Sequence, residues 1–548
     1  MFECQLSTRG TVMTRLLPQE FAVAVMDSLS ASGGKYSAVA GLCPKLSPSL
    51  GLQPTLVEHV CRVYSRELEI KANLSWSAAL IVTGIREHSD VSPSPPLRLG
   101  FVSSYLRKRH PLRYLLAGLA HSINNSNSVQ LTCIHIEGPN EGAPLALKCP
   151  RELVFHGGVR SEAGSDAASV VAEVLSARRQ EQLHVIIDLD GHTRPAHLLP
   201  GLLAYSLAPV QIHYLGTPHY PVALPNCHFF VSTVGLTPPE YYPKSSRSNG
   251  QSERLLMLPH YMIYQPPQVE AKVEEEHAIS YEEKEQSRID ARNEERRKLG
   301  IAPGWFVFAC FNQGKKVDAR MFSTWVSLLL RFQDSAGVAA QISVLWLPQV
   351  DNANAQEYLR REAASKGLLP SRLIFSGKRV NSRREHLARL AAADVALDSA
   401  RYSAGSVGVE AFLQGVPLVV LASDSSVASR QASAVALTLS DKDHITSTRA
   451  ILPPSLLIAT NFKEYAETAL RLATVLRRTE GDSFSLAHMT SKNHLNYGCR
   501  AAAHKCALES KDRAKDIERG SAAAFEANTA KVTGHIFFAR ECTTKTNP

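Results

Sequence analysis

Ordered cysteine spacing is missing from this sequence. Ten cysteines among 548 residues fall at irregular intervals with no C-x-x-C pair, a pattern that gives neither a zinc site nor a disulfide framework and fits a reducing compartment best. Long apolar runs are missing as well. AALIVTGI at 78–85 is far too short to cross a bilayer, and MFECQLSTRG at the start lacks the uninterrupted apolar core of a secretory signal. These absences predict a cytoplasmic or nuclear protein with no membrane partner. A dense basic block is the third absence. The formal charge is +9 and the pI about 9.0, yet the basic residues are scattered. RKRH at 107–110 is a cluster too short to mark nuclear import, so no specific nucleic-acid partner is expected.

What is present is a globular composition, 44% hydrophobic and 20% charged, in a chain long enough for two domains and an appendage. Residues 1–95 read as an irregular helical region with no repeat of fixed period, ending in the linker SDVSPSPP. From 96 to 267, LRLGFVSS, VQLTCIHI, LHVIIDLDG and PVQIHYLG are short β-rich runs, several of them separated by helix-like segments such as 165–180. That alternation predicts a parallel sheet. Residues 268–299 crowd charges together and read as a solvated insertion, exposed helix or linker. A second series over 300–480 runs through GWFVFACF, ISVLWL, SRLIFSG, ADVALD and PLVVLA. Between its first two runs, Phe322, Trp325, Leu329 and Phe332 form one helical stripe. Residues 481–548 read as a helical tail rich in Ala and Lys. Two open α/β domains in series direct attention to the loops after their strands, where ligands of such folds bind.

Four loops carry candidate chemistry. In CFNQGKKVDAR (310–320), Asn312-Gln313-Gly314 turns the chain after a strand, and Asp318 suits the N-cap of the next helix. Lys315 and Lys316 then stand beside a helix N-terminus, a natural place for a diphosphate, though two solvated lysines give the same pattern. In ALDSARYSAGSVGVEAFLQGVP (396–417), small residues precede a helix expected to start near Ser406. Gly405 and Gly408 permit close approach to phosphate oxygens there, and Glu410 is placed to accept from ribose hydroxyls. In RREHLARL, His386 and Arg389 share a helix face suited to a nucleobase, with Leu387 and Leu390 turned inward. In FVSSYLRKRHPLRYLL, His110 precedes Pro111 at a helix start and is placed to position or deprotonate a hydroxyl. The DLDG stretch at 188–191 looks like a manganese-holding Asp-x-Asp. However, Asp188 and Asp190 have no further hard ligands nearby, so no metal is expected.

Together these stretches resemble the catalytic region of nucleocytoplasmic protein O-GlcNAc transferases and their Spindly-type O-fucosyltransferase relatives, from about Leu97 to about Ser440. The likeness is most specific in FNQGKKVD, SVLWL, RLIFSG, EHLARLAAADVALD and GVPLVVLASDSSVASRQAS. GFVSSYLRKRHP, DLDGHT, APVQIHYLGTP and LPHYMIY add to it. The resemblance implies an α/β, GT-B fold, two Rossmann-like domains facing across a cleft, plus helical N- and C-terminal segments. It further implies metal-independent, inverting transfer of N-acetylglucosamine from UDP-GlcNAc to Ser or Thr hydroxyls of intracellular proteins, with no cofactor.

Carried over by position, Lys316 contacts the diphosphate, with Gln313 beside it. His386 and Arg389 flank the base with Arg383 nearby, and Glu410 holds the ribose. His110 is the active-site histidine, while Gly216 and His260 line the cleft. The chain departs from the family's phosphate-loop His-Thr-Thr, having Gly405, Ser406 and Val407 instead, and residues 1–95 stand where tetratricopeptide repeats are usual. Glu410 and DGHT lean toward GDP-fucose. Gln313, SVLWL and the His386/Arg389 pair lean toward UDP-GlcNAc and discriminate better. An inactive nucleotide-binding scaffold is the remaining alternative.

Overall fold

Two fully parallel sheets organise the molecule. The computed structural model describes most of residues 96–258 and 281–481, together with Cys61, Arg62, Ser65, 517–524 and 536–537. The chain divides into two units, crossing from the first to the second at Pro267/Gln268 and returning to the first at Leu508/Glu509. Of the expected N-terminal region, only those three residues are described, within helix.

The first unit holds β1 (Leu97–Ser103), α1 (Pro111–Asn124), β2 (Val129–Glu137), β3 (Arg151–His156), β4 (Val185–Asp188), β5 (Val210–His213), β6 (Phe229–Ser232) and β7 (Arg254–Met257). Its strand order is β3-β2-β1-β4-β5-β6-β7, and β14 (Ile536–Phe537) is added beside β7. The strands are short apolar runs rather than alternating ones because both faces are covered. VIID of β4 and VQIH of β5 are buried throughout. The segment read as a helical tail therefore supplies a strand, and Ile517 and Ala524 sit in the same core. Gly520 lies against Leu256 and Leu258, and Glu518 accepts hydrogen bonds from Ser126 and Ser128. Cys133 of β2 is bonded to Cys149, with the Cα atoms 5.9 Å apart. This corrects the expectation of no disulfide: parallel pairing of β2 with β3 brings together two thiols whose spacing in sequence carries no signal.

The second unit holds α2 (Tyr281–Lys298), β8 (Phe306–Ala309), α3 (Ala319–Asp334), β9 (Ser343–Trp346), α4 (Ala353–Ser365), β10 (Leu373–Ile374), α5 (Arg383–Leu390), β11 (Val395–Leu397), α6 (Ser406–Leu413), β12 (Leu418–Leu421), α7 (Val427–Leu439), β13 (Ile458–Ala459) and α8 (Phe462–Gly481). Its order, β10-β9-β8-β11-β12-β13, reverses between β8 and β11. This is the Rossmann order, whose switch point opens a crevice at the strands' carboxyl ends. The Phe322, Trp325, Leu329 and Phe332 stripe of α3 is buried in this unit's core together with Tyr465 of α8.

The charged segment proves more than a solvated insertion. Within α2, Arg292 and Arg296 both pair with Asp394, which is buried just ahead of β11; the Arg296 contact is 2.7 Å. Arg296 also donates to the Ala392 carbonyl at 2.8 Å, and Asp394 accepts from the Val307 N–H of β8. One face of a strongly charged helix is thus pinned to the sheet.

Candidate active site of the second unit

The switch point between β8 and β11 collects most of the residues singled out from sequence. After β8 the chain makes a single 3₁₀ turn, Gly314–Lys316, with Gln313 as its exposed N-cap. Asp318 then caps α3, accepting from Met321 N–H at 2.8 Å, as its residue type and position predicted. This turn sends Lys315 to solvent and Lys316 inward. The Lys316 ammonium lies 3.6 Å over the ring of Tyr402 and donates to the Ser403 carbonyl at 3.2 Å. Burial pushes that ammonium down to about 8, while Asp398 pulls in the opposite direction.

Gly405, two residues beyond Ser403, is the N-cap of α6, whose first residues are Ser406 and Val407. Gly405 has no side chain with which to cap the helix, and the first turn of α6, where helix N–H groups and the dipole favour an anion, begins close to the Ser403 carbonyl that Lys316 reaches. At Gly405 a Cβ would stand 2.6 Å from Gln431 Oε1, whereas Gly408 packs on Leu418 of β12. Of the two glycines expected to approach phosphate, Gly408 instead allows the helix to sit on the sheet. Gly415, at φ +74°, turns the chain out of α6.

His386 of α5 and Glu410 of α6, assigned from sequence to base and ribose separately, are joined directly: Nε2 lies 2.9 Å from Oε2. Glu410 is 8% exposed and so faces the protein rather than bulk water. Arg389, one turn on, stands 5.8 Å from the ring of Trp346, which meets Phe311 edge-on. Arg383 opens α5, but its side chain lies outside the described residues, as do His110 and His260.

Sequence reasoning gave no site role to Tyr402, Trp346, Asp398 or Asn312, the last named only as part of a turn. The first two flank Lys316 and Arg389, and the last two underlie the loops. Asp398 closes the ADVALD run, the one signal that marked it.

In the first unit, Gly216 is explained by packing, because a Cβ there would overlap the main chain of Asp190. The DLDG carboxylates are also engaged. Asp188 bonds His213 Nδ1 at 2.6 Å and the N–H groups of Asp190 and Gly191. Asp190 accepts from Ser103 and Ser104, and burial beside Asp188 raises it to about 6. Among the described residues no cluster of three or more His, Cys, Asp or Glu is arranged to hold a metal, and no helix is long and apolar enough to cross a membrane.

Residues 266–486 match the family profile Glycosyl transferase family 41. The second unit is thus similar to a family 41 glycosyltransferase domain. Over 326 residues the chain is 28% identical to a probable UDP-N-acetylglucosamine–peptide N-acetylglucosaminyltransferase, SEC, of Arabidopsis thaliana, covering 59% of this chain and 29% of that protein. It is 23% identical over 329 residues to the Solanum lycopersicum protein named SPINDLY under the same activity, covering 60% and 30%. The chain thus spans under a third of the length of these relatives. Among solved structures, a point mutant of the Thermobaculum terrenum O-GlcNAc transferase superposes with a TM-score of 0.66 at 18% identity, over 95% of this chain and 84% of that one. That likeness confirms the GT-B class of fold expected from the sequence.

Proposed function

We propose that the second unit binds a nucleoside diphosphate sugar and that the protein transfers N-acetylglucosamine from UDP-GlcNAc to Ser or Thr hydroxyls of intracellular proteins, in cytoplasm or nucleus. One observation carries this reading: at the sheet's switch point the Lys316 ammonium donates to the Ser403 carbonyl, two residues ahead of Gly405 at the start of α6. Departure of a nucleoside diphosphate concentrates negative charge, which a preorganised ammonium and helix N-terminus stabilise without reorganising. On this reading Gln313 lies by the same phosphates. Arg389 and His386 hold the base side with Arg383 near, and Glu410, steadied by His386, takes the ribose. His110 serves the acceptor hydroxyl, with His260 and Gly216 lining the acceptor side. Transfer is inverting and needs no metal or cofactor.

Glu410 favours a second reading with GDP-fucose as donor, since a glutamate there is the Spindly-type residue. Incubating the full chain with radiolabelled UDP-GlcNAc or GDP-fucose and a protein pool separates the two. Label should enter protein from UDP-GlcNAc and not with Lys316→Ala; equal labelling by that variant rejects the role of Lys316, and labelling from GDP-fucose alone establishes the second reading.

A further inference from the structure

The Lys316 loop and the loop that opens α6 are tied together from below by one buried carboxylate. Asp398, fully buried, follows β11. Its Oδ1 accepts from Asn312 Nδ2 at 3.0 Å and from Ala404 N–H at 2.8 Å, and its Oδ2 accepts from Ser403 Oγ at 2.7 Å. Ser403 Oγ accepts in turn from Ala432 N–H of α7 at 2.8 Å, so the residue whose carbonyl receives Lys316 is held on both sides. The Asp398 carbonyl accepts from the Tyr465 hydroxyl at 2.9 Å, and Trp325 Nε1 donates to that hydroxyl at 3.1 Å, which anchors the whole assembly in the core.

A carboxylate at the base of an anion site repels the ligand, so its presence there needs a compensating use. We propose that Asp398 is a positioning residue: it sets Asn312 and the Ser403–Gly405 backbone in register with Lys316 and supplies the negative charge that keeps the ammonium ready for a diphosphate. This rests on the diphosphate reading of the site.

The groups acting on Lys316 are few. Asp398 faces it from β11, Cys310 from the end of β8, Tyr402 from the ring below and Lys315 from its own turn. Burial pushes the Cys310 thiol and the Tyr402 phenol each up to about 12, so neither is charged near neutrality. Burial raises Asp398 too, opposed by its four donors, from Ser403, Ala404, Ser399 and Asn312. Asp398 therefore opposes burial and Lys315 at this ammonium.

Calorimetric titration of UDP, and separately GDP, into the full chain from about pH 6.5 to about 9 tests this, a range that brackets the shifted ammonium. Wild-type affinity should fall as pH rises through about 8. Asp398→Asn should bind about tenfold or more weakly at neutral pH, with the alkaline midpoint moved down by about one unit. Ser403→Ala, which keeps the charge, should weaken binding and leave the midpoint in place. Asp398→Asn binding like wild type, or weakened with an unmoved midpoint, overturns the proposal. If Asp398→Asn fails to fold by circular dichroism, Ser403→Ala decides: unchanged binding overturns the positioning role, and weaker binding at the same midpoint supports it. Wild-type binding of neither nucleotide is a different failure, of the diphosphate reading itself, and the positioning role falls with it.

Discussion

Without ligand, Lys316 is held in a place that disfavours its charge. Its folded value is lowered to about 8 from an ordinary 10.5, so the folded chain holds fewer protons than the unfolded chain between those values. Stability from this group then rises with pH across that window, and its full destabilising effect is present below about 8. Lys316→Met should accordingly melt no lower than wild type at pH 7 while losing nucleotide binding. The difference between the two melting temperatures should shrink as pH climbs toward 10.5. A clear drop in the melting temperature of Lys316→Met at pH 7 contradicts this. Glu410 offers a second check at the same scale. On the ribose reading, Glu410→Ala should weaken UDP by about tenfold or more and leave inorganic pyrophosphate unchanged in competition titrations; equal losses for both place Glu410 at the phosphates instead. Lys316, Asp318 and the start of α6 were legible because turn, cap and helix rules act over a few residues. The His386–Glu410 bond and the Asp398 network join positions far apart in sequence, which local rules do not reach.

Among the elements, α2 is where charge pattern and tertiary structure diverge most. Its run of Glu, Lys and Arg has no apolar stripe to announce a buried face. Even so, Arg296 is only 9% exposed and its guanidinium spans Asp394 and the Ala392 carbonyl. Removing Arg296 leaves Asp394 with Arg292 and takes that donor from the Ala392 carbonyl. Arg296→Ala should cost the second unit about 2 kcal/mol, read as a lower denaturant midpoint with an unchanged slope. Arg297→Ala, whose pairs with Glu294 lie at the surface, should leave the denaturant midpoint nearly unchanged. Comparable losses for the two variants contradict the anchoring role. The strands and α3 were readable because their apolar runs and stripe have clear periods. β14 was missed because the tail was read as a whole from its Ala and Lys content, although Ile536, Phe537 and Phe538 make a short β-rich run, of which Ile536 and Phe537 pair with the edge of β7.

At the scale of the molecule, two Rossmann-ordered sheets follow from the repeated alternation of short apolar runs and helices, and the domain match at residues 266–486 falls on the unit that holds Lys316. Donor choice is the property least written in that architecture, because it depends on a few side chains around one crevice. The most direct measurement is the thermal melting of the full chain with and without UDP or GDP, for wild type and Lys316→Ala. UDP at one hundred times its dissociation constant should stabilise the wild type by about 2.7 kcal/mol, GDP should do less, and the variant should not respond. Failure of both nucleotides to shift the wild type, or an equal shift in Lys316→Ala, would contradict a diphosphate seated between that lysine and the start of α6.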